Sequence, residues 1–207
     1  ISLDIQMSEF DGWKALSLLK NNTATRHIPV GIISHKEERA LGLKRGGKRF
    51  IAKPLKEKDL DVLFDQLAKF TEKETKKLVV VEDNEADIKS IKNLLKFDKV
   101  NVEYAKTGKE ALKLIDKETD GLVLDLGLPD MNGLDILKHL KQKKIEVPVI
   151  IYSGRAISGR EEQELNKVTD NIILKSVESP EELLDQVVCQ LHIDIKDLPA
   201  KQQNIIK

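Results

Sequence analysis

The sequence predicts an α/β protein: a parallel sheet covered by helices on both faces, preceded by a partial copy of the same arrangement. Three observations carry this expectation. Short apolar runs alternate with stretches of helical period over residues 78–192. The later part of that alternation recurs at the start of the chain. Four of the five apolar runs end on a polar or charged side chain.

The first run, LVVV (78–81), is apolar throughout, as a parallel strand buried on both faces must be. EADIKSIKNLLKF follows with Ile88, Ile91, Leu94 and Leu95 on one helical face. NVEYA (101–105) alternates like a strand, and GKEALKLIDKE turns Ala111, Leu112 and Ile115 inward on a helix. GLVLD (121–125) is strand and GLDILKHLKQ is helix. VPVIIYS (147–153) is strand and SGREEQELNKV is helix. NIILK (171–175) is strand, and PEELLDQVVCQL is helix with Pro180 in its favoured first turn. Five strand–helix units in this order imply parallel strands joined by crossover helices.

The repeat is read from three matches. Asp4 in ISLDIQMSEFDGW corresponds to Asp125 in LVLDLGLPDMNG, Ser34 in PVGIIS to Ser153 in PVIIYS, and Lys53 in FIAK to Lys175 in IILK. The offset stays at about 120 residues, and its small drift falls in loops, where insertions cost little. The expected organisation is a partial domain over 1–70 holding the last three strand–helix units, a charged linker over 71–77, a complete domain over 78–192, and a tail or linker over 193–207. The linker stretch TEKETKK also reads as the tail of the preceding helix. The chain opens at Ile1 already in a strand pattern, which leads us to expect a longer parent protein that supplies the missing half of the first domain. Without it, the Asp4 strand is an open sheet edge.

Composition narrows the function. Hydrophobic residues are 40% and charged residues 34% of the chain, and 35 Lys+Arg balance 35 Asp+Glu. Zero net charge gives no electrostatic case for nucleic acid. No apolar run approaches the ~20 residues of a membrane span. The single Cys189, placed by pattern on the apolar face of the last helix, fits a reducing, cytoplasmic setting. GLKRGGK (42–48) resembles a phosphate-binding loop, but it lies between a helix and a strand, the reverse of the required order. His27, His35, His139 and His192 are scattered, although His35 follows Ser34 and is placed to crowd it. Trp13 reads as a helix anchor.

In an open parallel sheet, ligands bind at the carboxyl ends of the strands. Glu82 and Asp83 follow the first strand, Asp125 ends the third, Ser153 the fourth and Lys175 the fifth. Two carboxylates ~4 Å apart repel by about 4 kcal/mol at an effective dielectric near 20. Such a cluster demands a proton or a cation, and oxygen ligands without His or Cys favour Mg²⁺. With Lys175 and Ser153 as donors, the set suits phosphoryl transfer to Asp125.

These segments, VVVEDN, LDLGLPDMNG, IIYSG and IILKS, together resemble the receiver domain of two-component response regulators. The resemblance covers 78–192 in full and 1–70 in part. It implies a flavodoxin-like, doubly wound five-stranded sheet of order 2-1-3-4-5. It also implies Mg²⁺ held by Glu82, Asp83 and Asp125, and phosphorylation of Asp125, assisted by Ser153 and Lys175. The donor would be a phosphohistidine on a histidine kinase or phosphotransfer domain. Two copies in one chain resemble a segment of a multi-receiver hybrid sensor histidine kinase, although no kinase ATP-binding segment is present. Asp4, Ser34 and Lys53 are the first-copy equivalents, without an acidic pair.

The chain departs from the family pattern at Ser176, where Pro usually follows the lysine. A cis bond there would cost ~2.5–4 kcal/mol, so a trans bond and a rearranged loop from Lys175 to Ser179 are expected. The aromatic usually found three residues before the lysine is Phe50 in the first copy and Ile172 in the second. Gly127 and Arg155 are expected to flank the phosphoryl group. These departures motivate a second reading, a receiver fold that docks partners without being phosphorylated. A phosphatase with an aspartyl nucleophile would want a second Asp where Gly127 stands.

Overall fold

In the computed structural model, residues 1–7, 11–169, 171–175 and 180–206 are described. They form two compact units, one of Ile1–Glu74 with His192–Asp194 and one of Thr75–Leu191 with Ile195–Lys207. Among the described residues, no helix is long and apolar enough to cross a membrane.

The second unit alternates β4 (Lys76–Val81), α4 (Glu85–Leu94), β5 (Val100–Ala105), α5 (Gly108–Leu114), β6 (Gly121–Leu124), α6 (Gly133–Gln142), β7 (Val149–Ser153), α7 (Gly159–Leu165), β8 (Ile172–Leu174) and α8 (Pro180–Gln190). All strand pairs are parallel, in the order β5-β4-β6-β7-β8, which is the expected 2-1-3-4-5. Strand alternation divides the core. Val79, Val81, Leu122, Leu124, Val149 and Ile151 pack with Ala111, Ile136, Leu140 and Leu165 of α5, α6 and α7. The intervening Leu78, Val80, Val123 and Ile150 are equally buried, as are Ile88 and Ile91 of α4 and Leu183, Leu184, Val187 and Val188 of α8. The sheet register is pinned at its lower end by Asp120, whose side chain accepts from the Lys77 amide at 2.8 Å.

Helix starts follow local chemistry. Asn84, Thr107 and Asn132 cap α4, α5 and α6 through side-chain oxygens that accept from backbone amides of the first turn. α7 opens on a capping box of Ser158 and Glu161.

The first unit contains β1 (Ser2–Asp4), α1 (Gly12–Asn21), β2 (Gly31–Ser34), α2 (Arg39–Lys44), β3 (Arg49–Ala52) and α3 (Glu57–Glu72). Its parallel sheet has the order β1-β2-β3, matching β6-β7-β8, with β1 at an edge. Leu3, Ile5, Leu16, Val30, Ile32 and Phe50 form its core, with Trp13 packed against it.

Several boundaries differ from expectation. α3 runs to Glu72, in line with the helix-tail reading of 71–77, while β4 begins at Lys76, earlier than the expected Leu78. Residues after 192 include a short 3₁₀ turn and a helix, α9 (Ala200–Ile206), with Leu198 and Gln202 buried. Gln202 donates toward the carbonyl of Leu94, the last residue of α4, and that of Lys96 just beyond it, each at 3.5 Å. Cys189 is half-buried because the inward face of α8 is set by Leu183, Leu184, Val187 and Val188, one position away. The expected rearrangement beyond Lys175 falls at 176–179, outside the described residues.

Candidate functional site

The register of the sheet assembles the site. Val81 pairs with Leu124, so Glu82 and Asp125 leave neighbouring strands side by side. Ser153 pairs with Leu174, so Lys175 emerges one step beyond it. Backbone bonds lock these ends: the Asp125 amide donates to Val81 and the Lys175 amide to Ser153, each at 3.0 Å.

The side chains of Glu82, Asp83, Asp125, Ser153 and Lys175 meet at these strand ends. Lys175 Nζ donates to Asp125 Oδ2 at 2.9 Å and also to Glu82. Ser153 Oγ donates to Asp125 Oδ1 at 2.8 Å, and the Gly127 amide donates to the same oxygen at 2.9 Å. Glu82, Asp83 and Asp125 each present a carboxylate oxygen within 4.8 Å of the others. Glu82 and Asp125 are buried and Asp83 is exposed.

One member escaped the sequence reading. Lys175 Nζ also donates to Asp87 Oδ2 at 2.8 Å. Asp87 lies in the first turn of α4, where the Asn84 cap accepts from its amide. The available signal was spacing: an acid four residues after Asp83, on a helix starting directly behind the acidic pair. The Lys175 ammonium also lies 5.2 Å from the Tyr152 ring centroid.

Burial would raise the Asp125 carboxyl, but the Gly127 amide, Lys175 and Ser153 outweigh it and hold the group below the usual carboxylate range. Glu82 goes the other way: burial pushes it up, the Asp125 charge adds to this, and Lys175 only partly opposes them. Burial works against the Lys175 charge, yet Asp87, Glu82 and Asp125 together raise its pKa. The arrangement is an ionised carboxylate, poised between two donors, in a pocket whose excess negative charge is met by one ammonium. Three hard oxygen donors, with neither His nor Cys among them, fit a small divalent cation such as Mg²⁺.

The first-copy equivalents meet only in part. Lys53 Nζ donates to both Asp4 oxygens, at 2.9 and 2.7 Å, and the Gln6 amide donates to Asp4 Oδ1 at 2.9 Å. Ser34 is fully buried, but its hydroxyl donates to Glu38, and His35 is paired with Gln6 at 2.9 Å. The hydroxyl that meets the aspartate in the second unit is diverted in the first.

A Cβ on Gly127 would stand 3.7 Å from Asp125 Oδ1 and 3.9 Å from Arg155 Cδ.

Comparison with known proteins places the second unit in a family. The sequence profile of the response regulator receiver domain matches residues 78–188. The chain is 27% identical over 132 residues to the cell cycle transcriptional regulator CtrA of Caulobacter vibrioides, covering 63% of this chain and 55% of that protein. It is 29% identical over 133 residues to the cell cycle response regulator CtrA of Brucella ovis, covering 63% and 54%. The chain thus spans about half the length of these curated relatives. Among solved structures, a CheY-like response regulator receiver domain protein from Methanospirillum hungatei JF-1 superposes with a TM-score of 0.51 at 29% identity, covering 60% of this chain and 99% of that one. The receiver domain of Francisella response regulator 1452 gives 0.50 at 29%, covering 56% and 97%. Receiver domains in general act as phosphoacceptors in two-component signalling, bind Mg²⁺ at an acidic site, and interact with histidine kinases or phosphotransfer proteins. With the profile matched over more than half its length and the five-stranded fold in place, this chain belongs to the response regulator receiver domain family.

Proposed function

We propose that the second unit accepts a phosphoryl group from a phosphohistidine of a histidine kinase or phosphotransfer domain onto Asp125. The observation that carries this reading is the meeting of Asp125 with Ser153, Lys175 and two further carboxylates at the ends of four strands. An ionised Asp125 oxygen attacks phosphorus. The O–P bond forms as the N–P bond breaks, and the electron pair of that bond returns to the imidazole nitrogen. Ser153 and Lys175, which hold the free carboxylate, are placed to shift their donated hydrogens to phosphoryl oxygens. Mg²⁺, when held by Glu82, Asp83 and Asp125, supplies neutralisation of the phosphoryl charge. Two related units in one chain support a place in a multi-receiver protein such as a hybrid histidine kinase, with Asp4, Ser34 and Lys53 as an incomplete counterpart.

A second reading, a docking module that is never phosphorylated, draws on one observation. Lys175 is already engaged by Asp87, Glu82 and Asp125, and freeing it opposes phosphorylation. Incubation of the full chain with acetyl phosphate and Mg²⁺, followed by intact mass, separates the two. The phosphoacceptor reading expects one phosphoryl group on wild type and none on Asp125→Asn. An unmodified wild type, or equal labelling of the variant, would leave the docking module.

A further inference from the structure

Arg155 lies two residues past Ser153, in the loop between β7 and α7. Its stem runs beside the phosphoacceptor: Arg155 Cδ and Asp125 Oδ1 both come within 4 Å of the point where a Gly127 side chain would begin. Its head is turned elsewhere. Nη1 donates to Glu161 Oε2 at 3.1 Å and Nη2 to Glu161 Oε1 at 2.6 Å, the two-pronged geometry that guanidinium makes with carboxylate. Glu161 is itself fixed. It is the third residue of α7, and it accepts from the Ser158 amide at 3.1 Å and the Ser158 hydroxyl at 2.9 Å. A permanently charged fork is therefore parked on a helix terminus, while its stem and the reacting carboxylate both border the point where Gly127 carries no side chain.

Guanidinium matches phosphate oxygens as well as it matches a carboxylate. A phosphoryl group brings a charge of about −1.5 to −2, against the single charge of Glu161. It would also arrive at a carboxylate that borders the same Gly127 position as the Arg155 stem. We propose that Arg155 is a phosphoryl-binding residue held in reserve by Glu161. When Asp125 carries a phosphoryl group, the guanidinium exchanges Glu161 for phosphoryl oxygens beside Gly127, and the first turn of α7 loses its tether to the loop. This inference rests on the phosphoacceptor reading.

The test uses the full chain with Mg²⁺ and beryllofluoride, a non-covalent phosphoryl mimic, with affinity followed by fluorine NMR. Glu161→Gln is the informative variant, because Gln at this position preserves the capping box and removes only the competing charge. It should bind beryllofluoride several-fold tighter than wild type, while Arg155→Ala should bind it about tenfold more weakly. The double variant should match Arg155→Ala, since Glu161 acts only through the arginine. The Arg155 side-chain NH resonance should also shift on binding in wild type. Wild-type binding with no tightening in Glu161→Gln, or additive effects in the double variant, would overturn the exchange and leave the phosphoacceptor reading standing. No beryllofluoride binding by wild type would overturn both.

Discussion

Lys175 and Lys53 follow matching strands, and each donates to the aspartate at the end of the strand two places across its sheet. Their surroundings differ. The side chains of Lys175 and Asp125 are 13% and 10% exposed, those of Lys53 and Asp4 27% and 38%. Removing one partner of a buried pair strands the other charge, at about 3–5 kcal/mol, whereas exposed pairs contribute about 0–1 kcal/mol. Lys175 also answers for Glu82 and Asp87, so its loss uncovers three carboxylates. Lys175→Ala should therefore lower the stability of the second unit by about 3 kcal/mol, read as faster hydrogen exchange of the β6 amides. Lys53→Ala should change the first unit by less than about 1 kcal/mol, read from Trp13 fluorescence in urea, because the chain's single tryptophan lies there. The candidate site was legible to this depth because each strand ended on the first polar residue after an apolar run, and register alone brings such ends together. Asp87 was not, because a polar residue on a helix looks the same in sequence whether it faces water or a buried ammonium. The diversion of Ser34 to Glu38 was hidden for the same reason, since it depends on the side-chain path of a single residue.

At the scale of elements, two glycines at helix starts separate packing from propensity. Gly133 opens α6 directly above the Asp125 strand end. A Cβ there would meet the Asp125 carbonyl oxygen at 2.8 Å and Leu126 Cα at 3.0 Å, both backbone-anchored atoms that cannot yield cheaply. Gly133→Ala should destabilise the second unit by about 1–3 kcal/mol and shift the Asp125 backbone resonances. Gly159 opens α7 with nothing within 4 Å of its would-be Cβ, so Gly159→Ala should stabilise by about 0.4–1 kcal/mol through the unfolded chain. Both effects are measurable as shifts in urea midpoint. The elements themselves were readable because parallel strands buried on both faces stay apolar throughout, and capping residues such as Asn84, Thr107 and Ser158 mark where helices begin. The less accurate edges were charged ones. Lys76 and Lys77 extend β4 by pairing with β5, with Lys77 neutralised by Asp116 at 2.9 Å, so strand formation there is a tertiary effect. α9 likewise takes its place from packing, through Gln202 at the end of α4.

For the molecule as a whole, a balance of 35 positive and 35 negative side chains makes stability a question of pairing, not of net charge. Local donors hold several carboxylates below their usual range: Lys106 for Glu85, Lys77 for Asp116, the Gly108 amide for Asp130, Arg155 for Glu161 and Lys167 for Glu164. A depressed carboxylate contributes stability that is present above its unfolded pKa, about 3.9 for Asp and 4.3 for Glu, and is lost as pH falls toward its folded value. The lysines run in mirror image. Lys106, Lys77 and Lys175 are raised, so their contribution is intact below the unfolded value of about 10.4 and disappears as pH climbs past it. Glu82 opposes the acid trend, because burial raises it and protonation relieves the folded state. One such group against many leaves the sign unchanged. The urea midpoint of the full chain should therefore be flat between about pH 6 and 9, fall below about pH 4, and fall again above about pH 10.4. Most of these pairs are exposed, so about 1 M salt, with a screening length near 3 Å, should make both limbs shallower. The Asp125, Glu82 and Lys175 cluster, shielded by burial, should keep its contribution in high salt. A midpoint that rose steadily toward acid would mean that burial of carboxylates, and not their pairing, dominates the electrostatics of this molecule.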